Sequence, residues 1–227
     1  MPLLGKAAVA MWWEVMPALR TAFEDWHSHE HFPERLGIPG FLRASRWASA
    51  TDGEGCFVMY ELDALETLTS QHYLARLNDP TPWSARMMPH HRNMVRSLCA
   101  VALSYGGGIA RSMLTVRLSP RANHAIALLD WLREKLPKFP LVPGITAAHL
   151  LQTQAQKPGI AATAEQKMRG GDAGADWVLL LTGYDAQLLA DVASSELGSS
   201  ALVAAGAQTG SVANFYDLRY ALTPADF

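Results

Sequence analysis

The apolar positions change period several times along the first part of the chain, and each change marks an element. AVAMWWEV (8–15) reads as a strand. From Pro17, which suits a first helical turn because it needs no N–H partner there, Leu19, Ala22, Phe23 and Trp26 fall on one helical stripe. Pro33 disfavours helical geometry at Phe32, so the helix is expected to end near Glu30 or His31. Pro39-Gly40 turns the chain into FLRASRWAS, a second strand. The polar TDGEG (51–55) fits a hairpin loop before CFVMYEL, a third strand. Ala64 to Leu77 reads as a helix, and SLCAVALSY (97–105) as a fourth strand.

The same order then recurs. The strands are SMLTVRL (112–118), ITAAHLLQTQ (145–154), WVLLLT (177–182) and SVANFYDLRYAL (211–222), with helices over about 121–136 and 185–197. Asp25-Trp26 returns as Asp130-Trp131 and Pro39-Gly40 as Pro143-Gly144, with spacings that differ by one residue. Gly106-Gly107-Gly108 lies between the halves, which predicts two parts, 1–108 and 109–227. Each part is a βαββαβ unit with both helices on one face of an antiparallel sheet, an α+β architecture. The other face also carries apolar residues, and two such sheets can cover each other. Trp26 and Trp131 belong to helix stripes and are expected to pack on their sheets.

This element order resembles that of the dimeric α/β-barrel superfamily, in which two ferredoxin-like units form a shared barrel with helices outside; here the pair would be fused in one chain. Trp26, His31-Phe32-Pro33 and Pro39-Gly40-Phe41 also resemble the W…H-x-P…PGF pattern of EthD-like members. The resemblance implies a ligand pocket inside or at the mouth of the barrel. Superfamily members include isomerases, cofactor-independent oxygenases, decarboxylases and haem enzymes, so the fold does not choose the chemistry.

Alternation sorts the strand residues by face. Val9, Met11, Trp13 and Val15 suit the helix side, which leaves Ala10, Trp12 and Glu14 toward the barrel. Leu42 and Ala44 suit the helix side, with Arg43, Ser45 and Trp47 opposite. Strand three is ambiguous. On strand four, Cys99, Val101 and Leu103 suit the helix side and Ala100, Ala102 and Ser104 the interior. Leu114, Val116 and Leu118 pack outward, and Thr115 and Arg117 point in. The expected lumen therefore joins Trp12, Trp47, Ser45, Arg43, Glu14 and Arg117, a mixture that suits a small carboxylate or phenolate ligand. The alternative is a filled barrel in which Glu14 forms a structural ion pair with an arginine.

Three of the eight histidines stand in DWHSHEH (25–31). On a helix His27 and His31 lie within about 40° of each other, with His29 nearly opposite. A metal would need a further ligand from His72, His90, His91 or Glu30, and no HExxH pattern exists. No metal, haem or organic cofactor is therefore expected. Taken alone, His31 suits proton transfer in an isomerase, decarboxylase or oxygenase acting on an apolar or aromatic carbonyl compound. Arg43 would steady the negative charge, and Glu14 would orient the imidazole or act as the partner base. A non-catalytic ligand-binding barrel is the alternative, and histidines near a helix end also serve its last carbonyls. The second copy has Leu132 to Leu136 in the corresponding place, so only one site of this type is expected.

Two connections exceed ordinary loop length. Asn78 to Arg96 carries Trp83, Met87, Met88, His90 and His91, adaptable groups that could close over an apolar ligand. Gln156 to Asp176 has few apolar anchors and reads as mobile. The net charge of −2 gives no reason to expect nucleic acid as partner. The opening MPLLGKAAVAMWWEV lacks a basic start and a cleavage site, and Leu197 to Tyr216 is too polar to span a membrane. Cys56 and Cys99 sit in apolar runs as buried thiols. A cytoplasmic chain is expected, possible as a homodimer of the fused pair, with a small apolar or aromatic molecule as its partner.

Overall fold

The computed structural model describes residues 3–51, 53, 55–154, 162–168 and 173–227. Its eight strands are β1 (Ala7–Glu14), β2 (Phe41–Ser49), β3 (Gly55–Leu62), β4 (Arg92–Gly106), β5 (Ser112–Leu118), β6 (Ile145–Thr153), β7 (Trp177–Gly183) and β8 (Val212–Leu222). They hydrogen-bond in the cyclic order β1-β3-β2-β8-β5-β7-β6-β4, a closed antiparallel barrel. The helices are α1 (Arg20–Trp26), α2 (Phe32–Leu36), α3 (Gln71–Asn78), α4 (Pro82–Met87), α5 (Ala125–Lys135), α6 (Ala164–Met168), α7 (Ala186–Ser194) and α8 (Ser199–Ala205). No single helix among the described residues is long and apolar enough to cross a membrane.

The chain forms two compact units, one of residues 4–100, 154–174 and 219–227, the other of residues 1–3, 101–153 and 175–218. In the first, β1 is central: Val9 faces Tyr60 of β3 on one side and Leu98 of β4 on the other. Val9, Met11, Trp13, Ala44, Val58, Tyr60 and Leu62 pack with Phe23, Trp26, Phe32 and Leu36 of α1 and α2 in one core. The ambiguity on the third strand is thereby resolved, because Tyr60 shares the helix side with Val9. In the second unit, β5 is central between β7 and β8. Leu114, Val116, Leu150, Leu179 and Leu181 pack there with Leu128 and Leu132 of α5 and Leu189 of α7. Trp26 is fully buried and Trp131 packs partly buried against its core.

Four local expectations need correction. Ala100 pairs with Ala7, a helix-side residue, and Cys99 pairs with Ala8, so the fourth strand's facing at 99 and 100 is reversed. Both alternations of LCAVAL are apolar, and the ladder to β1 alone sets the register. The first helix also does not stop at His31: His27–His31 forms a π-helical turn and α2 continues to Leu36. Such a wide turn accommodates Pro33, which supplies no N–H to the turn before it. The helix expected over 64–77 is split, because Ser70 takes an extended conformation and caps α3 through the Tyr73 N–H. The connection 78–96 is largely structured, with α4 and the start of β4 within it. Asp52 and Glu54 of the hairpin loop, and 155–161 and 169–172 of the later connection, lie outside the described residues.

The two Pro-Gly turns have the same backbone requirement. Gly40 has φ +94° and Gly144 φ +107°, the left-handed region that glycine enters without steric cost. A Cβ at Gly40 would lie 2.5 Å from Thr67 Oγ1, and one at Gly144 would lie 2.9 Å from Leu188 Cδ2. Gly40→Ala and Gly144→Ala should each lower unfolding free energy by about 1–3 kcal/mol in urea titrations. A change below about 0.5 kcal/mol would contradict the turn geometry.

Candidate functional site

The π-helical turn determines where the histidines go. With its wider spacing, the rings of His27 and His31 stack at 5.3 Å and an interplanar angle of 19°. Both are buried, whereas His29 is exposed and meets Asp25. Trp26 lies against both rings, and Phe23 stacks on His27 at 5.0 Å. His91 joins the same aromatic group, 4.9 Å from Trp13, with its Nδ1 3.0 Å from the Met88 carbonyl oxygen. The turn is tied to α4 through Glu30, whose Oε1 accepts from Thr81 Oγ1 at 2.5 Å and Trp26 Nε1 at 3.1 Å. No group of three or more His, Cys, Asp or Glu among the described residues is placed to hold a metal ion.

Beyond His31 the helix continues, which places Glu34 and Arg35 one turn further on the same side. Glu34 Oε2 lies 3.7 Å from both His31 Nδ1 and Arg35 Nη1. Arg35 is 3% exposed and donates through Nη2 to Glu165 of α6. Burial opposes its charge, but Glu165 and then Glu34 outweigh that and raise its pKa. Burial pushes the Glu34 carboxyl up and also the Tyr60 phenol, so Tyr60 remains a neutral donor. A cavity of about 30 Å³ opens here, with His31, Arg35, Tyr60, Tyr73, Arg96 and Glu165 as its polar lining.

The residues expected to act with His31 lie elsewhere. Arg43 pairs across β2 and β3 with Glu61, and its Nε donates to Glu61 Oε1 at 2.6 Å. Glu61 alternates with Tyr60, so this pair occupies the sheet face opposite the cavity. Glu14 is half-exposed at the end of β1, accepts from Asn93 Nδ2 at 2.9 Å, and lies 3.9 Å from Arg92. His31, Arg43 and Glu14 therefore do not converge. Trp12 packs 5.0 Å from Phe57, and Trp47 Nε1 donates to Ser45 Oγ at 3.0 Å, both on the Glu61 side of the sheet. Trp83 lies in α4 and packs against the helix-side core. Arg117 belongs to the other unit, on β5, where burial lowers its pKa and Tyr216 opposes that effect.

Sequence reasoning missed Glu34, Arg35, Tyr60 and Glu165. The i+3 and i+4 spacing from His31 was a readable signal for the first two, obscured by ending the helix too early. Glu165 gave no signal, because it comes from the connection expected to be mobile and is instead buried.

No known protein-family model matches the chain, and no curated protein matches it significantly. Solved structures do. An anthrone oxidase-like protein superposes with a TM-score of 0.68 at 13% identity, covering 98% of this chain and 95% of that one. This chain has the dimeric α/β-barrel fold. A putative monooxygenase from Fusobacterium nucleatum shares this fold, with a TM-score of 0.63 at 9% identity over 98% and 96% of the two chains. Another from Lactobacillus acidophilus gives 0.57 at 7% over 96% of each. At these identities the dimeric α/β-barrel likeness concerns architecture alone.

Two stability predictions follow from the buried charges. His27 has its pKa held well below 6.5, first by burial and then by the charges of Arg46, His91 and Arg35. The unfolded chain takes up a proton near 6.5 that the folded chain refuses, so stability is complete above that pH and falls below it. His27→Phe should flatten the decline in urea stability between about pH 7 and pH 5, by up to about 1.4 kcal/mol per pH unit. An unchanged slope would place the titration elsewhere. Glu165→Gln should cost about 3–5 kcal/mol in the same assay, since it leaves the buried Arg35 charge without its main partner. A loss below about 1 kcal/mol would mean that the pair is dispensable.

Proposed function

We propose that this chain is a small-molecule enzyme that transfers a proton at an acidic C–H beside a carbonyl group, with His31 as the base and no organic cofactor. The observation that carries this reading is the placement of His31, buried and on the wall of a small cavity that Arg35 and Tyr60 also line. Imidazole takes a proton near neutral pH, and the resulting enolate needs a nearby positive charge. Arg35 lines the same cavity as His31, whereas Arg43 pairs with Glu61 on the other sheet face. Glu34, 3.7 Å from His31 Nδ1, takes the orienting role first assigned to Glu14. The isomerase and oxygenase types begin from such a carbanion or enolate, the decarboxylase type forms one when CO2 leaves and then protonates it, and the structural neighbours include an anthrone oxidase-like protein and a putative monooxygenase. The EthD-like pattern at Trp26, His31 and Gly40 belongs to the same proposal, as does the division into ferredoxin-like halves at 108/109.

The cavity's size favours a second reading, a binding protein without turnover. About 30 Å³ takes a water-sized group, whereas pockets for ring systems are on the order of 300 Å³ or more. Catalysis on an aromatic compound therefore requires the lining side chains to part. Anthrone, an enolisable aromatic ketone, separates the readings. In D2O the enzyme should exchange its methylene protons faster than buffer does, and His31→Gln should reduce the enzyme-dependent rate by about 100-fold or more. Binding without exchange would favour the second reading. Exchange that is unaltered in His31→Gln would remove His31 as the base.

A further inference from the structure

Buried donors normally find acceptors, and a cavity whose wall carries two without a protein partner suits an occupant that accepts from them. Tyr60 is 3% exposed, and its hydroxyl has no hydrogen-bond partner among the described residues. The same is true of Arg35 Nη1, which has only the distant Glu34 oxygen at 3.7 Å. Both side chains line the cavity of about 30 Å³. A buried space needs only about 10–15 Å³ to take a water, so this one admits a water or a slightly larger species.

Charge decides which species fits best. Arg35 and Arg96 are two cations on the lining, and Glu165 is the anion. Glu165 is engaged by Arg35 Nη2. Arg96 donates to the Tyr73 hydroxyl at 2.7 Å and has no carboxylate within ion-pair distance among the described residues. Glu34 is the remaining acid, and its burial favours the uncharged form. The cationic Arg35 and Arg96 and the engaged carboxylate of Glu165 then surround two idle donors, in a space too small for a phosphate-bearing metabolite. Charge-assisted hydrogen bonds to an anion are stronger than those to a neutral acceptor.

We propose that this cavity binds a small monovalent inorganic anion of halide size, held by the Tyr60 hydroxyl and Arg35 Nη1 and balanced by Arg96. The site goes beyond the proton-transfer reading, because binding needs no turnover. Bromide is the probe. Crystals of the full chain soaked in sodium bromide should show an anomalous scattering peak in this cavity, next to Tyr60 and Arg35. At constant ionic strength, bromide replacing gluconate should raise the melting temperature saturably. Tyr60→Phe keeps the ring and removes the donor, and should weaken that response about tenfold or more. Water alone in the cavity at saturating bromide would overturn the proposal. So would a bromide response unchanged in Tyr60→Phe. The readout uses no substrate, so its failure leaves the His31 reading standing, and failure of the anthrone assay leaves the anion site standing.

Discussion

A guanidinium removed from water must be met by a carboxylate, and around Arg35 that requirement organises the site. Desolvating one such ion costs several kcal/mol. Arg35 is 3% exposed and satisfies the requirement with Glu165, a residue 130 positions away in sequence. The ion pair brings α6 onto the unit that holds β1 to β3. Glu34, Tyr60 and Tyr73 lie near the same guanidinium, and Glu165 is the main partner that outweighs its burial. Without that partner the buried arginine would have no adequate answer, and the polar lining around His31 would lose its balance.

The π-helical turn is the second constraint. An ordinary helix through His27–His31 would meet Pro33 with a clash and a missing hydrogen bond. The wider turn avoids both, and it stacks two imidazoles against Trp26 and Phe32. Such turns cost regular hydrogen bonding and recur at functional sites. Here the turn places His31 one helical turn before Glu34 and Arg35, so imidazole, carboxyl and guanidinium share one face.

The sheet separates two sets of polar groups. Arg43, Glu61, Ser45 and Trp47 lie on one face, already paired with each other. His31, Arg35, Tyr60 and Glu165 lie on the helix side, where Arg35 Nη1 and the Tyr60 hydroxyl have no hydrogen-bond partner among the described residues. A sheet's period of two makes this division strict: neighbours such as Tyr60 and Glu61 cannot serve one site. The same architecture carries many chemistries, and the contents of each face distinguish one member from another.

Much of the fold was legible from the chain alone. All eight strands were readable within a few residues, because period-two apolar runs ended at Pro-Gly and polar turns report a local preference. The repeated Pro-Gly turns, the buried Trp26 and the opposition of His27 and His29 follow from the same short-range rules. The facing of β4 was not legible, since LCAVAL is apolar on both alternations and only its hydrogen-bonded neighbour chooses. Nor was the π-helical turn, because Pro33 signals a helix end and its accommodation depends on what packs around it. The partners of Arg35 and Arg43 were decided only by tertiary structure. Charge pairing acts between residues far apart in sequence, and periodicity carries no record of which carboxylate will be close.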